Sequence, residues 1–176
     1  MPLLKNNTLI SDTWIHAGAD GQLPEAGDII VPLARLFKDW KILAQHNGKL
    51  GVELGNAGRA EALATFLPRL SVIALPFPAF SDGRAYSIAR QLRQMGYRGE
   101  LRATGNVLPD QLQFMLQVGF DTFDIGERFP LAVWQQASKQ MSLAYQRGLF
   151  RRGSEAEIWT ERHVDAEPWL EQPHAG

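Results

Sequence analysis

The chain has 176 residues, of which 45% are hydrophobic and 21% charged, with a formal net charge of −1. So even a balance supplies no field to draw in nucleic acid or an acidic membrane surface, and the length suits one domain with a real core. Cysteine is absent, which removes disulfides, thiol nucleophiles and cysteine-held iron–sulfur clusters from what this chain does alone.

Residues 1–27 are expected to form a short β-rich opening segment. "TLISDTWIHA" alternates apolar and polar residues, and "GADGQLPEAG" is rich in turn formers. A strand–helix order then repeats. "DIIVP" reads as a strand, followed by a helix with Leu33, Leu36, Phe37, Trp40, Leu43 and Ala44 on one face. "KLGVELG" is the second strand. Its helix is expected from Ala57 to Leu67, with Ala57, Ala60, Leu63, Ala64 and Leu67 at helical spacing and Pro68 as the stop.

"LSVIALPF" is apolar on both faces, as a buried parallel strand should be. The helix after it buries Ala85, Ile88, Ala89, Leu92 and Met95 and stops at Gly96. "GELRATG" is the fourth strand, with a helix opening near Pro109 that presents Leu108, Leu112, Met115 and Leu116. "FDTFDIG" is the fifth, and Pro130 opens a last helix with Leu131, Trp134, Ala137 and Met141 inward. About five βα repeats give an α/β domain, residues 1–147, with a parallel sheet. Two forms fit the pattern: an open three-layer sheet, or a curved sheet resembling part of a barrel.

From 148 to 176 the texture turns polar, with charges of both signs and isolated Trp159 and Trp169. The segment reads as a polar tail, or as an arm whose tryptophans anchor on another subunit and make a homo-oligomer. The N-terminal "MPLLKNNTLISD" lacks the apolar run of a secretory signal, and "LSVIALPFPAF" is too short to span a bilayer. The expectation is a cytoplasmic protein with neither membrane nor nucleic-acid partners. The four histidines (His16, His46, His163, His174) are scattered, so no preformed zinc site is expected. Asp82, Asp124 and Glu53 offer a carboxylate cluster for magnesium or general-base work, but read first as caps at separate strand ends. No Rossmann or P-loop fingerprint calls for a cofactor.

Strand C-termini are where α/β folds carry their sites. The turn Ser81, Asp82, Gly83, Arg84 precedes a helix whose first N–H groups are unpaired. Arg102, Thr104, Gly105 and Asn106 end the next strand. An oxyanion such as sulfite, sulfate or phosphate fits there, with Arg84 and Arg102 converging on it. The competing reading makes Ser81 or Asp82 an N-cap, contributing about 1 kcal/mol, and both arginines members of structural ion pairs. Glu53, Asp124 and Arg128 are further strand-end candidates. In "RQLRQMGYR", Arg90, Arg93 and Arg98 are expected on or near one exposed helix face, where such a run is solvated or meets an acidic partner.

The stretch "FPAFSDGRAYSIARQLR", then "GELRATG", Asp110 with Gln111, and "GFDTF" from Gly119 to Phe123 resemble a bacterial family designated domain of unknown function nine hundred and thirty-four. "LPEAGDIIVPL" is similar to its opening. The family pattern has an aspartate where this chain has Asn106, so a carboxylate at that place does no acid–base work here. The resemblance implies a genomic setting beside the haem-containing sulfite or nitrite reductase, and an oxidoreductase label tied to sulfite reduction. Two functions follow as expectations. One is an accessory protein of assimilatory sulfite reduction that binds the reductase or its electron donor. The other is a small oxidoreductase-like enzyme or anion-binding protein acting on sulfite or a phosphorylated metabolite at the strand-end turns.

Overall fold

A computed structural model of the chain describes residues 2–79 and 81–139. Phe80, Met141 and the polar segment 148–176 with Trp159 and Trp169 lie outside the described residues. The chain opens with β1 (Pro2–Lys5) and β2 (Thr8–Ser11), antiparallel partners joined at Asn6 and Asn7. Both asparagines have positive φ, 49° and 62°, the left-handed pair that a two-residue hairpin turn requires and asparagine tolerates. β3 (Ile15–His16) follows, then β4 (Ile29–Pro32), α1 (Leu33–Lys38) and α2 (Trp40–Leu43). Next come β5 (Leu50–Glu53), β6 (Leu70–Phe77), α3 (Arg84–Gln94) and β7 (Glu100–Gly105). α4 (Leu112–Val118), β8 (Thr122–Asp124) and α5 (Leu131–Lys139) complete the described fold.

All eight strands form one sheet in the order β2-β1-β8-β7-β6-β5-β4-β3, curled into a half-barrel. Neighbours from β3 to β8 pair in parallel, whereas β1 runs antiparallel to both β8 and β2. The sheet is therefore mixed and not purely parallel as expected, because the opening hairpin adds itself to the β8 edge. Sequential strand order with crossovers of one hand puts the helices on one face, which selects the curled form over three open layers. That convex face holds the main core: Ile73, Leu75 and Phe77 of β6 and Leu101 and Ala103 of β7 cluster with Leu36, Ile88, Leu92, Met115 and Trp134.

Alternate residues point the other way. Leu3, Ile30, Val72, Ala74, Arg102 and Thr122 stand on the concave face, and all are buried although no helix among the described residues packs there. The curl buries them. Its tightness follows from topology: the two edge strands, β2 and β3, are successive in sequence and separated by Asp12, Thr13 and Trp14 alone. Ser11 and Ile15 can be at most about 14 Å apart, so opposite edges of the sheet approach one another across a short strap.

Several expectations about helices need correction, and Met95 and Leu116, expected on the inward faces, are 37% and 38% exposed. Residues 57–67 form no α-helix but two 3₁₀ turns, Ala60–Leu63 and Leu67–Arg69. Ala60 and Leu63 are buried at a spacing of three, the 3₁₀ period, while Ala57 and Ala64 are exposed. The helix expected through Ala44 breaks at Asp39, and Phe37 is 48% exposed, its ring tilted against that of Phe66. Arg93, expected in a solvated row with Arg90 and Arg98, is buried. Its guanidinium donates to the carbonyls of Tyr97, Gly99 and Gly119 and to the Asp121 carboxylate, tying together loops at the base of three elements. Among the described residues no helix is long and apolar enough to cross a membrane.

Candidate functional site

The "SDGR" turn leads from β6 into α3. Asp82 accepts the backbone N–H of Arg84 at 3.2 Å and both ends of its guanidinium, Nε at 3.0 Å and Nη2 at 2.7 Å. Its second oxygen also accepts the side-chain amide of Asn56 at 2.8 Å, linking the ends of β5 and β6. Bonds from Arg84, then from Asn56, hold the Asp82 carboxyl far below the usual carboxylate range. Ser81 and Gly83 are exposed and supply no side-chain cap. The helix start that was to cradle an anion is thus served by Asp82.

The end of β7 is also committed. Asn106 donates its backbone N–H to the Phe77 carbonyl and its side-chain amide to the Pro78 carbonyl at 2.7 Å. An aspartate here would lack that second donor. Gly105, at φ +85°, lies where an added Cβ would come within 2.6 Å of the Phe77 carbonyl oxygen, so the two strand ends close up only over glycine.

Arg102 is elsewhere. It stands on the concave face, 2% exposed, in a row that register defines as Pro32, Glu53, Ala74, Arg102, Thr122 and Lys5. Its Nε donates to Glu100 at 3.0 Å and its Nη1 to Asp12 on the strap at 2.9 Å. Glu100 also meets Lys5 at 3.4 Å, and Asp12 meets the His16 ring at 3.3 Å. Burial pushes the Asp12 carboxyl up, but the Trp14 N–H and Arg102 outweigh it and hold the group below its ordinary value. Arg84 and Arg102 therefore have separate carboxylate partners, Asp82 for one and Asp12 with Glu100 for the other.

Of the other candidates, Thr104 shares the face of Arg102 by strand alternation, and Glu53 ends β5 exposed in the same row. Asp124 is 8% exposed and accepts the Gly126 N–H; Arg128 is exposed, its guanidinium 5.2 Å from the Phe129 ring centre. Glu100 and Asp82 are among the carboxylates that the sequence offers, with Asp124, as ion-pair partners for the two arginines, and they do hold Arg102 and Arg84. Sequence reasoning missed Asp12, Lys5, His16 and Thr122. Alternation in "ELRATG" did carry a signal, since Glu100, Arg102 and Thr104 share one face and Leu101 and Ala103 the other. Nothing local could have brought Asp12 to them.

Thr122 is fully buried and its hydroxyl has no partner among the described residues; the Asn56 Oδ1 and Trp134 Nε1 atoms are buried and unpartnered in the same way. No group of three or more His, Cys, Asp or Glu side chains converges as metal ligands among the described residues.

A family model described as bacterial protein of unknown function, DUF934, matches residues 51–154, and the chain belongs to that family. No curated protein and no solved structure matches it. The matched span holds the "SDGR" turn, Glu100, Arg102 and Thr122; Asp12 lies before it.

Proposed function

We propose, with membership of this family as the premise, that the protein is an accessory of assimilatory sulfite reduction that binds the reductase or its electron donor. The family's resemblance-based association with sulfite reduction motivates the choice of partner. The sequence adds to it by having no cysteine for thiol or iron–sulfur chemistry. The observation that carries a binding role is Phe114, 53% exposed on α4 and in contact with Tyr86 at a ring separation of 4.8 Å. A large aromatic held by a second ring presents apolar area at low entropic cost, which is how interface anchors work.

Affinity purification of the full chain from its native host tests this reading. The expected result is recovery of the reductase or its electron donor, lost on Phe114→Ser with the fold intact by circular dichroism. Sulfite-dependent turnover by the isolated protein, or co-purification of a flavin or haem with it, would instead make it a small oxidoreductase-like enzyme.

A further inference from the structure

Asp12 delivers a carboxylate into a cradle made almost wholly of donors. One of its oxygens receives Arg102 Nη1 and the His16 ring; the other receives the Trp14 N–H. Lys5 stands in the same row as Arg102 and pairs with Glu100. The charges of Arg102 and Lys5 balance those of Glu100 and Asp12, so withdrawing Asp12 would leave one uncompensated positive charge beside a buried guanidinium. Such a group strongly favours an anion in its place.

Two observations separate this carboxylate from an ordinary structural partner. The first is how it is held. Glu100 is anchored within β7, in the middle of the sheet, whereas Asp12 rides on three residues between a four-residue edge strand without a buried residue and a two-residue one. Beyond the strap, β3 is fixed by the Ile15 and Ala17 N–H groups on the carbonyls of Asp28 and Ile30. The second is Thr122. Its hydroxyl is buried, directly opposite Arg102 in register, and no group among the described residues uses it. A carboxylate has two oxygens, and those of Asp12 are spent; a tetrahedral or pyramidal oxyanion has a third to offer.

We propose that the Asp12 side chain is a built-in occupant of an oxyanion site formed by Arg102, Lys5, His16 and the Thr122 hydroxyl on the concave face. A small external oxyanion displaces Asp12, and the strap lifts when it binds. The site opens to solvent along its rim, where the Lys5 and His16 side chains are 40% and 51% exposed. It lies apart from the "SDGR" turn, and it does not depend on the partner proposed above.

Calorimetric titration of the full chain with sulfate and with phosphate, joined to hydrogen exchange over residues 12–16, tests the site. The wild type is expected to bind weakly. Asp12→Asn, which removes the competing charge at constant shape, should bind at least about tenfold tighter, since an intramolecular competitor acts at high effective concentration. Lys5→Ala should weaken binding in both backgrounds, and sulfate should speed exchange of residues 12–16 in the wild type. Either a folded Asp12→Asn with no heat of binding or binding indifferent to Lys5→Ala overturns the proposal. If Asp12→Asn fails to fold, the wild type decides: sulfate that does not bind, or binds without loosening residues 12–16, overturns it equally.

Discussion

Asp12 and Arg102 meet at 2.9 Å although 90 residues separate them, and the contact joins the strap between the two sheet edges to a central strand. The pair spans the concave face instead of decorating the surface. With Arg102 2% and Asp12 13% exposed, water screens little of it. Several measurable consequences follow from where these charges are.

Asp12→Asn leaves a buried guanidinium with half its compensation. The expected loss is about 2–4 kcal/mol in urea unfolding, at the lower end of what a broken buried pair costs because Asp12 keeps some solvent contact. Adding Arg102→Met to it should cost less than the two single losses summed, since the second change removes the orphaned charge. Strict additivity would show that the pair is energetically uncoupled.

Acid should act through the same group. The Asp12 carboxyl is held below its ordinary value, so the folded state favours its ionised form and binds fewer protons there than the unfolded chain. Its stabilisation is complete above the unfolded pKa of about 3.9 and is lost as pH falls through the lower, folded value. Asp82 is displaced in the same direction by Arg84 and Asn56. Melting temperatures taken from about pH 7 down to pH 3 should show the gap between wild type and Asp12→Asn narrowing below about pH 4. A gap that stays constant, or widens in acid, would remove Asp12 from the acid response.

Arg93 offers a contrast within one helix. Arg93→Lys keeps the charge but cannot reach the carbonyls of Tyr97, Gly99 and Gly119 together, and should cost about 3 kcal/mol as buried acceptors lose their donors. Arg90→Ala, on the exposed face of α3, should stay within about 0.5 kcal/mol. Equal effects in thermal unfolding would return Arg93 to the solvated row.

Gly51 probes how tightly the concave face is filled. An added Cβ would lie 2.3 Å from a Val72 methyl and 2.9 Å from an Ile30 carbon. Gly51→Ala is expected to lower stability by about 1–3 kcal/mol through overpacking. Adding Val72→Ala should recover part of that loss, and no recovery would place the strain in the backbone.

The five repeating strands were legible because alternating and continuous apolar runs are local signals: "LSVIALPF" became β6 and "GELRATG" became β7. The helix expected at 57–67 failed because its buried pair, Ala60 and Leu63, satisfies a spacing of three as readily as one of 3.6. Arg93 was misplaced because helical spacing shows which side a residue faces but not whether carbonyls wait there. The strand-end turn was read correctly as a position and incompletely as chemistry, since the Asp82 contact to Asn56 crosses between strands. Asp12 was invisible for a stronger reason. Its partner is fixed by the curl of the whole sheet, which no window of sequence contains.

The hairpin at the start of the chain pairs with β8 through Leu3, Leu4 and Lys5, and the strap that follows it reaches β4. On the ribosome, then, β1 is made well before its partner across the sheet and is placed late, because β8 must emerge before the two can pair. Until β1 docks, β8 presents an unpaired edge, and a contact of such long sequence separation forms slowly. The opening sixteen residues act as the closing clasp of folding. A truncation or bulky fusion at this end should leave the parallel strands able to assemble while exposing two adhesive edges, so its damage should appear first as aggregation during expression.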